Sequence, residues 1–452
     1  MTDGTAVPTG SFPDGFTWGV ATSAYQIEGA VRADGRGESI WDRFSHTPGR
    51  TANGENGDVA CDHYHRYPAD VQLMRELNVG AYRFSVAWPR ILPDGTGAVN
   101  QAGLDFYERL IEEVLEAGLE PYVTLYHWDL PQVLDDAGGW LDRRTVEAFA
   151  DYTDVLTRRL GDRVTRWITI NEPWVVAFLG YGIGIHAPGH RSMTEALQAG
   201  HHALLAHGRA MPIIRSNVPN ARAGITLNLN HTYPLDPDRD ADEEAARNAD
   251  IVANRWFLDP VFGQGYPEDL PAILGGTEPT ILDGDMAAIA APTDFLGINF
   301  YTPGYASASV QAAPGAMLHP DPNVERTAMG WPVEPRALTD LLLRVTNDYG
   351  PTAIYITENG AAFEGDRVVA GRVSDPRRTA YFEGHLGAMA TAIDAGAPVR
   401  GYFAWSMMDN FEWAEGYGKR FGIVHTDYAT QERTIKDSGR YFAQVAELNR
   451  LP

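Results

Sequence analysis

The chain has 452 residues, of which 44% are hydrophobic and 21% charged, the balance of a globular protein with a substantial core. Its 60 acidic and 36 basic side chains give a formal net charge of −24, which argues against a nucleic-acid or anionic-membrane partner because both bind basic surfaces. Cys61 is the single cysteine, so the sequence excludes an intrachain disulfide and a cysteine-ligated metal site.

The amino-terminal residues 1–15 are polar and contain glycine and proline, with no basic region followed by an apolar run. We expect them to form a flexible N-terminal segment. No stretch of the chain is long and apolar enough to cross a bilayer, so a soluble, cytoplasmic protein is predicted.

Strand-like apolar runs alternate with amphipathic helical segments along nearly the whole chain. Eight strands are predicted, at residues 17–22, 81–85, 120–125, 166–171, 223–229, 294–299, 353–358 and 401–405. Helices are predicted between them, for example at residues 103–117, 143–160, 336–349 and 376–395. In the first of these helices, apolar residues recur three or four positions apart, as in an outer barrel helix: Leu104, Tyr107, Leu110, Ile111, Val114 and Leu115.

Eight strand–helix alternations predict a single (β/α)8 TIM barrel over residues 16–452, with long loops at the C-terminal face of the strands. The length alone would also allow two or three average domains, but no linker or low-complexity segment divides the chain. An open, doubly wound α/β sheet is the alternative fold. It is disfavoured because no strand-turn-helix carries a glycine-rich phosphate-binding fingerprint.

Two predicted strands, the fourth and the seventh, end in a glutamate: Glu172 is followed by Pro173, and Glu358 by Asn359 and Gly360. A carboxylate at the end of a core strand is costly to bury unless it is paired or used. One such residue would usually be a paired structural glutamate or a solvated turn residue. Two of them in a barrel would project into one bowl, where the fold places its active sites. A matched pair of carboxylates is the arrangement that cleavage of a glycosidic bond requires.

Other side chains suited to binding a sugar are predicted at the same edge of the barrel. They follow strands two, three, six and eight: Arg83, His127, Trp128, Asn299, Tyr301 and Trp405. Most of these side chains can donate hydrogen bonds to hydroxyl or carboxylate oxygens, and tryptophan adds a flat apolar face that stacks on a pyranose ring.

Seven segments, in order, resemble the motifs of one known family. They are Phe-Thr-Trp-Gly-Val-Ala-Thr-Ser-Ala-Tyr-Gln-Ile-Glu-Gly (16–29), Tyr-Arg-Phe-Ser-Val-Ala-Trp-Pro-Arg (82–90), Tyr-His-Trp-Asp-Leu-Pro-Gln (126–132), Thr-Ile-Asn-Glu-Pro (169–173), Asn-Phe-Tyr (299–301), Ile-Thr-Glu-Asn-Gly (356–360) and Trp-Ser-Met-Met-Asp-Asn-Phe-Glu-Trp (405–413). The chain therefore resembles the retaining β-glycosidases of glycoside hydrolase family 1, the β-glucosidase family, over essentially its full length.

The resemblance implies that Glu172 is the acid/base, that Glu358 is the nucleophile and that no cofactor is needed. Arg83 and Tyr301 would hydrogen-bond Glu358 and keep it ionised. The charge of Glu358 would in turn favour the protonated form of Glu172.

The resemblance also assigns substrate-binding positions. Asn171 would bind the 2-hydroxyl of the glycone, Trp405 would lie beneath its ring, and Trp331 would contact the aglycone. Together with the residues predicted at strand ends, the substrate-binding set is Gln26, His127, Trp128, Asn171, Asn299, Tyr301, Trp331, Trp405, Glu412, Trp413 and Phe421.

The expected substrates are β-glucosides and cello-oligosaccharides, with galactosides and fucosides left open, and the sequence leaves the oligomeric state open too. A 6-phospho-β-glycosidase is the nearest alternative. Those enzymes carry a serine at the position of Glu412 and a tyrosine at that of Phe421, whereas Lys419 fits either pattern. A glutamate would repel a phosphate dianion, so this alternative is disfavoured.

Two further alternatives belong to other functional classes. A metal-dependent barrel hydrolase is suggested by the pair His63 and His65, but that pair leads into a helix and does not end an apolar strand. His201 and His202 are adjacent in a predicted helix and point in different directions. A non-catalytic sugar-binding protein would be expected to have lost one of the two glutamates.

Overall fold

The computed structural model describes residues 10–310 and 317–452. Eight parallel strands close into a barrel in sequence order, each paired with the next along the chain and the last with the first. The strands are β1 Thr17–Ala21, β2 Ala81–Ser85, β3 Glu120–Tyr126, β4 Arg166–Asn171, β5 Arg222–Asn228, β6 Phe295–Asn299, β7 Ile354–Asn359 and β8 Val399–Trp405.

Helices surround the barrel and fill the connections between strands. The α-helices are α1 Ala24–Ile27, α2 Ile40–His46, α3 His63–Glu76, α4 Trp88–Ile91, α5 Gln101–Glu116, α6 Gln132–Asp136, α7 Arg144–Leu160, α8 Met193–Asn217, α9 Asp240–Asp250, α10 Trp256–Val261, α11 Leu270–Leu274, α12 Asp285–Ile289, α13 Arg336–Tyr349, α14 Pro376–Asp394 and α15 Asp437–Leu448. Two π-helical segments, Val175–Gly182 and Ile251–Arg255, lie in the connections after β4 and β5.

Short ribbons and 3-10 turns make up the remaining secondary structure of residues 10–310 and 317–452. Three two-stranded ribbons join Thr232–Pro234 with Gly304–Ala306, Val368–Val369 with Arg372–Val373, and Val424–Thr426 with Arg433–Ile435. The 3-10 turns are Ala33–Gly35, Ala52–Gly54, Gly139–Leu141 and Trp413–Glu415.

The closed barrel confirms the predicted fold, and the alternative prediction of an open doubly wound sheet is wrong. All eight predicted strands are present, with ends within two residues of the prediction. The outer helices bury the predicted stripe, as α5 does with Leu104, Leu110 and Val114. Leu115 belongs to the same apolar pattern but is 38% exposed, because it lies at the solvent-facing edge of that stripe.

The packed part of the chain extends further toward the amino terminus than the predicted boundary at residue 16. Phe12 is buried, its ring centroid lies 4.8 Å from that of Trp18, and its backbone N–H donates to the carbonyl of Asn449 at 3.1 Å. Residues 1–9 of the predicted N-terminal segment lie outside the described residues. Across the described ranges, no helix is both long enough and apolar enough to cross a membrane.

The side chains inside the barrel change from aromatic to polar along its axis. Aromatic side chains fill one level: the ring of Tyr122 lies 4.8 Å from that of Phe403 and 5.7 Å from that of Tyr355. Nearer the carboxyl ends of the strands the buried side chains are polar, among them Arg83 and Thr357. This polar level forms the floor of the site described below.

Candidate active site

A cavity of about 490 Å³ lies at the carboxyl ends of the barrel strands. It contains both glutamates predicted from the sequence, Glu172 and Glu358, which are 5% and 3% exposed. Most of the predicted binding residues line the same cavity: His127, Trp128, Asn299, Tyr301, Trp331, Trp405, Glu412, Trp413 and Phe421. The barrel therefore brings the carboxyl pair and a set of sugar-binding side chain types together.

Three predicted site residues lie behind the cavity wall and contact the side chains that line it. Gln26, which belongs to α1, donates from Nε2 to Oε2 of Glu412 at 3.4 Å and to the carbonyl of Phe411 at 2.9 Å. Asn171 and Arg83 lie beneath the two glutamates, as described below. All three are almost completely buried.

The backbone around Glu172 explains how its side chain enters the cavity. Glu172 has φ +49°, a left-handed conformation that is uncommon for residues other than glycine, and its N–H is held by the carbonyl of Thr226 at 2.9 Å. Two aromatic residues of the cavity, Trp128 and Trp413, share this left-handed conformation, with φ +74° and +49°. Such conformations persist where the surrounding packing holds a side chain in place for function.

Glu358 lies in β7, directly opposite Asn299 of β6 in the strand register. The strand continues through Asn359, which donates from Nδ2 to the carbonyl of Phe300 at 2.6 Å and accepts at Oδ1 from the hydroxyl of Tyr402 at 2.6 Å. A β-carbon at the next residue, Gly360, would overlap the carbonyl oxygen of Trp405. The Asn-Gly pair therefore anchors the end of the strand, whereas sequence alone indicated only a strand terminator.

Glu358 accepts hydrogen bonds on both carboxyl oxygens. Arg83 donates from Nη1 to Oε1 at 2.6 Å, and the hydroxyl of Tyr301 donates to Oε2 at 2.5 Å. Burial raises the pKa of Glu358 above its usual value, and the charge of Arg83 and these hydrogen bonds offset only part of that rise. Burial together with the nearby carboxylates keeps the pKa of Tyr301 well above its usual value, so this hydroxyl stays a donor.

Glu172 accepts its hydrogen bond from a neutral amide, whereas Glu358 is paired with a cation. Asn299 donates from Nδ2 to its Oε1. Burial is the largest cause that raises the pKa of Glu172, and the charge of Glu358 is the next, while the bond from Asn299 opposes them. The two carboxyls are thus differentiated: Glu358, paired with Arg83, is the one that stays ionised, and Glu172 is the one that keeps the proton.

Asn171 connects Arg83, which contacts Glu358, with Asn299, which contacts Glu172. Its Oδ1 accepts from Nη2 of Arg83 at 2.6 Å and from Nδ2 of Asn299 at 3.1 Å, so its own Nδ2 points toward Nε2 of His127, 3.1 Å away. Burial and the charge of Arg83 hold the pKa of His127 well below its usual value. The ring is therefore neutral, and it can accept at Nε2 while Nδ1 carries the hydrogen.

Aromatic rings form the walls of the cavity. Trp405 ends β8 and stacks on His127 with a ring separation of 6.0 Å, and Trp331 packs 5.4 Å from Tyr301. The indole N–H of Trp128 donates to the backbone carbonyl of Asn171 at 2.9 Å. Trp128 therefore offers the cavity its ring face only, because its one donor is already used.

The sequence interpretation missed the side chains at the outer part of the cavity. They come from the π-helical segment after β4, from the end of β5 and from several loops: Trp174, Val175, Leu179, Ile185, His186, Asn228, Asn230, Met317 and Met329. Two of them had a visible signal: Trp174 is an aromatic residue directly after the Asn-Glu-Pro motif, and Asn228 is a polar residue at the end of a barrel strand. The others lie where no strand-end rule places side chains.

The histidines considered as metal ligands are bound to other groups. His63 contacts Asp70 at 2.8 Å inside the protein, whereas His65 contacts Asp62 and is largely exposed. His201 contacts Asp285 at 3.1 Å, and His202 is hydrogen-bonded to a backbone carbonyl. Among residues 10–310 and 317–452, no group of three or more histidine, cysteine, aspartate or glutamate side chains has the arrangement of a metal site.

The barrel fold and the buried, differentiated carboxyl pair define a glycoside hydrolase. A sequence profile described as Glycosyl hydrolase family 1 matches residues 8–451. Beta-glucosidase A of Thermotoga maritima is 47% identical over 441 residues, which cover 97% of this chain and 98% of that relative. The chain belongs to glycosyl hydrolase family 1.

Two further comparisons agree. A bifunctional beta-D-glucosidase/beta-D-fucosidase of Bifidobacterium breve is 45% identical over 453 residues, covering 94% of this chain and 96% of that relative. The solved structure of the Thermotoga maritima beta-glucosidase in complex with glucoimidazole is similar with a TM-score of 0.94 and 46% identity, over 98% of this chain and all of that one. This chain is thus an enzyme of the retaining glycosidase class.

Proposed function

We propose that this protein is a β-glucosidase that removes terminal non-reducing β-D-glucosyl residues by double displacement, with Glu358 as nucleophile and Glu172 as acid/base. One observation carries the assignment of roles. Within a single cavity, Glu358 contacts the cation Arg83, whereas Glu172 contacts the amide of Asn299. The two steps of the reaction require this difference in charge.

In the first step, ionised Glu358 attacks the anomeric carbon of the bound glycoside, and a glycosyl ester forms as the bond to the leaving oxygen breaks. Protonated Glu172 gives its proton to that oxygen, so an alcohol leaves and not an alkoxide. In this proposal Asn171 binds the 2-hydroxyl through the second hydrogen of its Nδ2, whose other hydrogen faces His127. This contact strengthens as positive charge develops on the ring, and it therefore favours the transition state over the bound substrate.

In the second step, Glu172 acts as the base. Once Glu358 is an ester, its negative charge no longer raises the pKa of Glu172. The Glu172 carboxylate takes a proton from water, the water oxygen attacks the anomeric carbon from the face that the aglycone left, and Glu358 departs as a carboxylate. Two inversions give a β-configured sugar.

The stereochemistry and the substrate range test this proposal together. Proton NMR during hydrolysis of 4-nitrophenyl β-D-glucoside should show β-glucose first and the α-anomer only through mutarotation. A panel of nitrophenyl glycosides, with and without a 6-phosphate, then defines the glycone. First release of α-glucose, or turnover confined to phosphorylated sugars, would refute the proposal.

The charges in the cavity favour a neutral sugar over a 6-phosphorylated one. Glu412 lines the cavity, and the ammonium of Lys419 is already engaged by the carbonyl of Ala328 at 2.7 Å and lies 4.0 Å from Glu415. A phosphate dianion in the cavity would meet the carboxylates of Glu412 and Glu415, whereas neither Lys419 nor Arg420 of this segment lines the cavity. The 6-phospho-β-glycosidase alternative therefore has no support from this segment.

The proposal extends to the physiological setting. The enzyme acts on cello-oligosaccharides released during cellulose degradation, also accepts fucosides, and works in the cytoplasm as one catalytic domain, which comprises the predicted residues 16–452 together with the packed residue Phe12. The glucosidase and fucosidase names of its relatives support the substrates, and the reduced, buried thiol of Cys61 is compatible with that compartment. Cell fractionation and kinetics on cellobiose and 4-nitrophenyl β-D-fucoside test these points.

A further inference from the structure

A row of hydroxyl and amide groups crosses the barrel interior beneath the two glutamates. Thr226 donates from Oγ1 to Oγ1 of Thr357 at 3.3 Å, and Thr357 donates in turn to Oδ1 of Asn299 at 2.7 Å. Asn299 then donates from Nδ2 to Oδ1 of Asn171 at 3.1 Å and to Oε1 of Glu172. The two threonines and two asparagines are at most 1% exposed, so each polar atom depends on its neighbour in the row.

The direction of these bonds follows from Arg83, because a guanidinium group can only donate. Its Nη2 lies 2.6 Å from Oδ1 of Asn171, so the amide oxygen of Asn171 is the atom that faces Asn299. Asn299 must present its NH2 group to that oxygen, and its own carbonyl oxygen is turned toward Thr357. The hydroxyl of Thr357 is the donor that satisfies this buried oxygen.

The strand that carries Asn299 leaves room for this arrangement. Gly297 lies in β6 between β5 and β7, two residues before Asn299. A β-carbon at Gly297 would overlap Oγ1 of Thr226 and would press against the side chain of Thr357. The absence of a side chain at this position therefore permits the hydroxyl row to reach Asn299.

We propose that Thr357 is a positioning residue for the acid/base: its hydroxyl fixes the amide of Asn299 so that the NH2 group stays on Glu172. This inference rests on the role proposed for Glu172. A hydrogen bond donated to the ionised carboxylate stabilises that form, so it opposes the effects of burial and of Glu358 on the pKa of Glu172. The row thereby keeps Glu172 acidic enough to act as acid in one step and as carboxylate base in the other.

The test compares Thr357→Val, which removes the hydroxyl at nearly constant shape, with Thr357→Ser, which keeps it. The readout is the pH dependence of kcat/KM on cellobiose, whose alkaline limb reports loss of the proton from Glu172. For Thr357→Val this limb should move to higher pH by about half a unit to one unit, the effect expected from one hydrogen bond. Thr357→Ser should retain the wild-type limb.

Thr169→Val is the matched control. Thr169 is also a buried threonine of a barrel strand, but its hydroxyl contacts His207 and the carbonyl of Gly224, away from the cavity. This variant should keep the wild-type pH profile. If Thr357→Val does not fold, Thr357→Ala provides the same loss of the hydroxyl with a smaller side chain.

A double-mutant cycle identifies the route of the effect. If Thr357 acts through Asn299, then Thr357→Val should cause no further shift of the limb in an Asn299→Ala background. An unchanged limb in Thr357→Val, an equal shift in Thr357→Ser, or a full additional shift in the double variant would overturn the inference. A separate variant tests the role proposed for Glu172. If Glu172→Gln kept the alkaline limb of the kcat/KM profile on cellobiose, Glu172 would not be the acid, whatever the result for Thr357.

Discussion

Arg83 donates a hydrogen bond from Nη1 to Oε1 of Glu358 at 2.6 Å, and the two side chains are only 1% and 4% exposed. The same guanidinium donates from Nη2 to Asn171, the residue proposed to bind the 2-hydroxyl of the sugar. One cation therefore favours the ionised form of the proposed nucleophile and also orients the side chain proposed to contact the transition state.

Replacement of Arg83 by methionine should shift the acidic limb of the kcat/KM profile to higher pH. The cation favours the ionised form of Glu358, so its removal raises the pKa of that carboxyl, and the nucleophile is lost at a pH where the wild-type enzyme is still active. A shift of about one unit or more is expected from the loss of an opposite charge in contact. Initial rates on 4-nitrophenyl β-D-glucoside between pH 3 and pH 9 measure it.

Arg90→Met is the control for this prediction. Arg90 forms a similarly buried pair with Glu28, with a distance of 2.9 Å, but this pair does not line the cavity. Both variants should lose about 3–5 kcal/mol of unfolding free energy, because each leaves a buried carboxylate without its cation. Only Arg83→Met should move the acidic limb, and an equal shift in both variants would contradict the proposed role of Arg83.

Glu358→Gly should abolish turnover, and azide should restore it. The small anion occupies the space left by the carboxylate and attacks the anomeric carbon from the same side, so the product is an α-glycosyl azide with inverted configuration. NMR of the product formed from 2,4-dinitrophenyl β-D-glucoside identifies the anomer. A rescued product of retained configuration would reject Glu358 as the nucleophile.

Glu172→Ala should lose little activity on aryl glucosides with a good leaving group and roughly a thousandfold or more on cellobiose, within the range that proton transfer contributes. The reason is that a dinitrophenolate leaves without protonation, whereas a sugar alkoxide does not. The ratio of kcat/KM for the two substrates measures the effect. Equal losses on both substrates would count against Glu172 as the acid.

The stability of the folded enzyme should fall as the pH rises between about 4.5 and 8, partly because of Glu412. Burial, then the charges of Glu358 and Glu415, raise the pKa of Glu412 from 4.5 to about 8. The folded state then binds more protons than the unfolded state within this window, so stability is fully present below 4.5 and is lost as the pH passes 8. Thermal midpoints of the wild type should decline more steeply with pH than those of Glu412→Gln; parallel curves would show that Glu412 titrates normally.

The fold could be predicted from the sequence because each barrel strand is a short apolar run bounded by turn residues. The strand that ends directly before Glu172 and the strand that carries Glu358 also predicted the carboxyl pair, since parallel strands of a barrel deliver their carboxyl ends to one face. Gln26 and Glu412, which come together from opposite ends of the chain, were assigned only through the resemblance to a family.

Other features of the site depend on three-dimensional contacts that no local pattern encodes. The indole N–H of Trp128 is bonded to a backbone carbonyl, and the amide of Asn299 is oriented by contacts with Asn171 at one end and Thr357 at the other. The mouth residues Leu179 and Ile185 come from a π-helical segment and the turn after it, whose side chain directions differ from those of a regular helix or strand.

Trapping the covalent intermediate tests the central claim most directly. A 2-deoxy-2-fluoro-β-D-glucoside with a dinitrophenolate leaving group should form a glycosyl-enzyme that hydrolyses slowly, because the fluorine destabilises the positively charged transition state of both steps. Proteolysis and mass spectrometry should then locate one added fluoroglucosyl group on Glu358. A label on Glu172, or steady hydrolysis without a covalent adduct, would contradict the proposed division of roles.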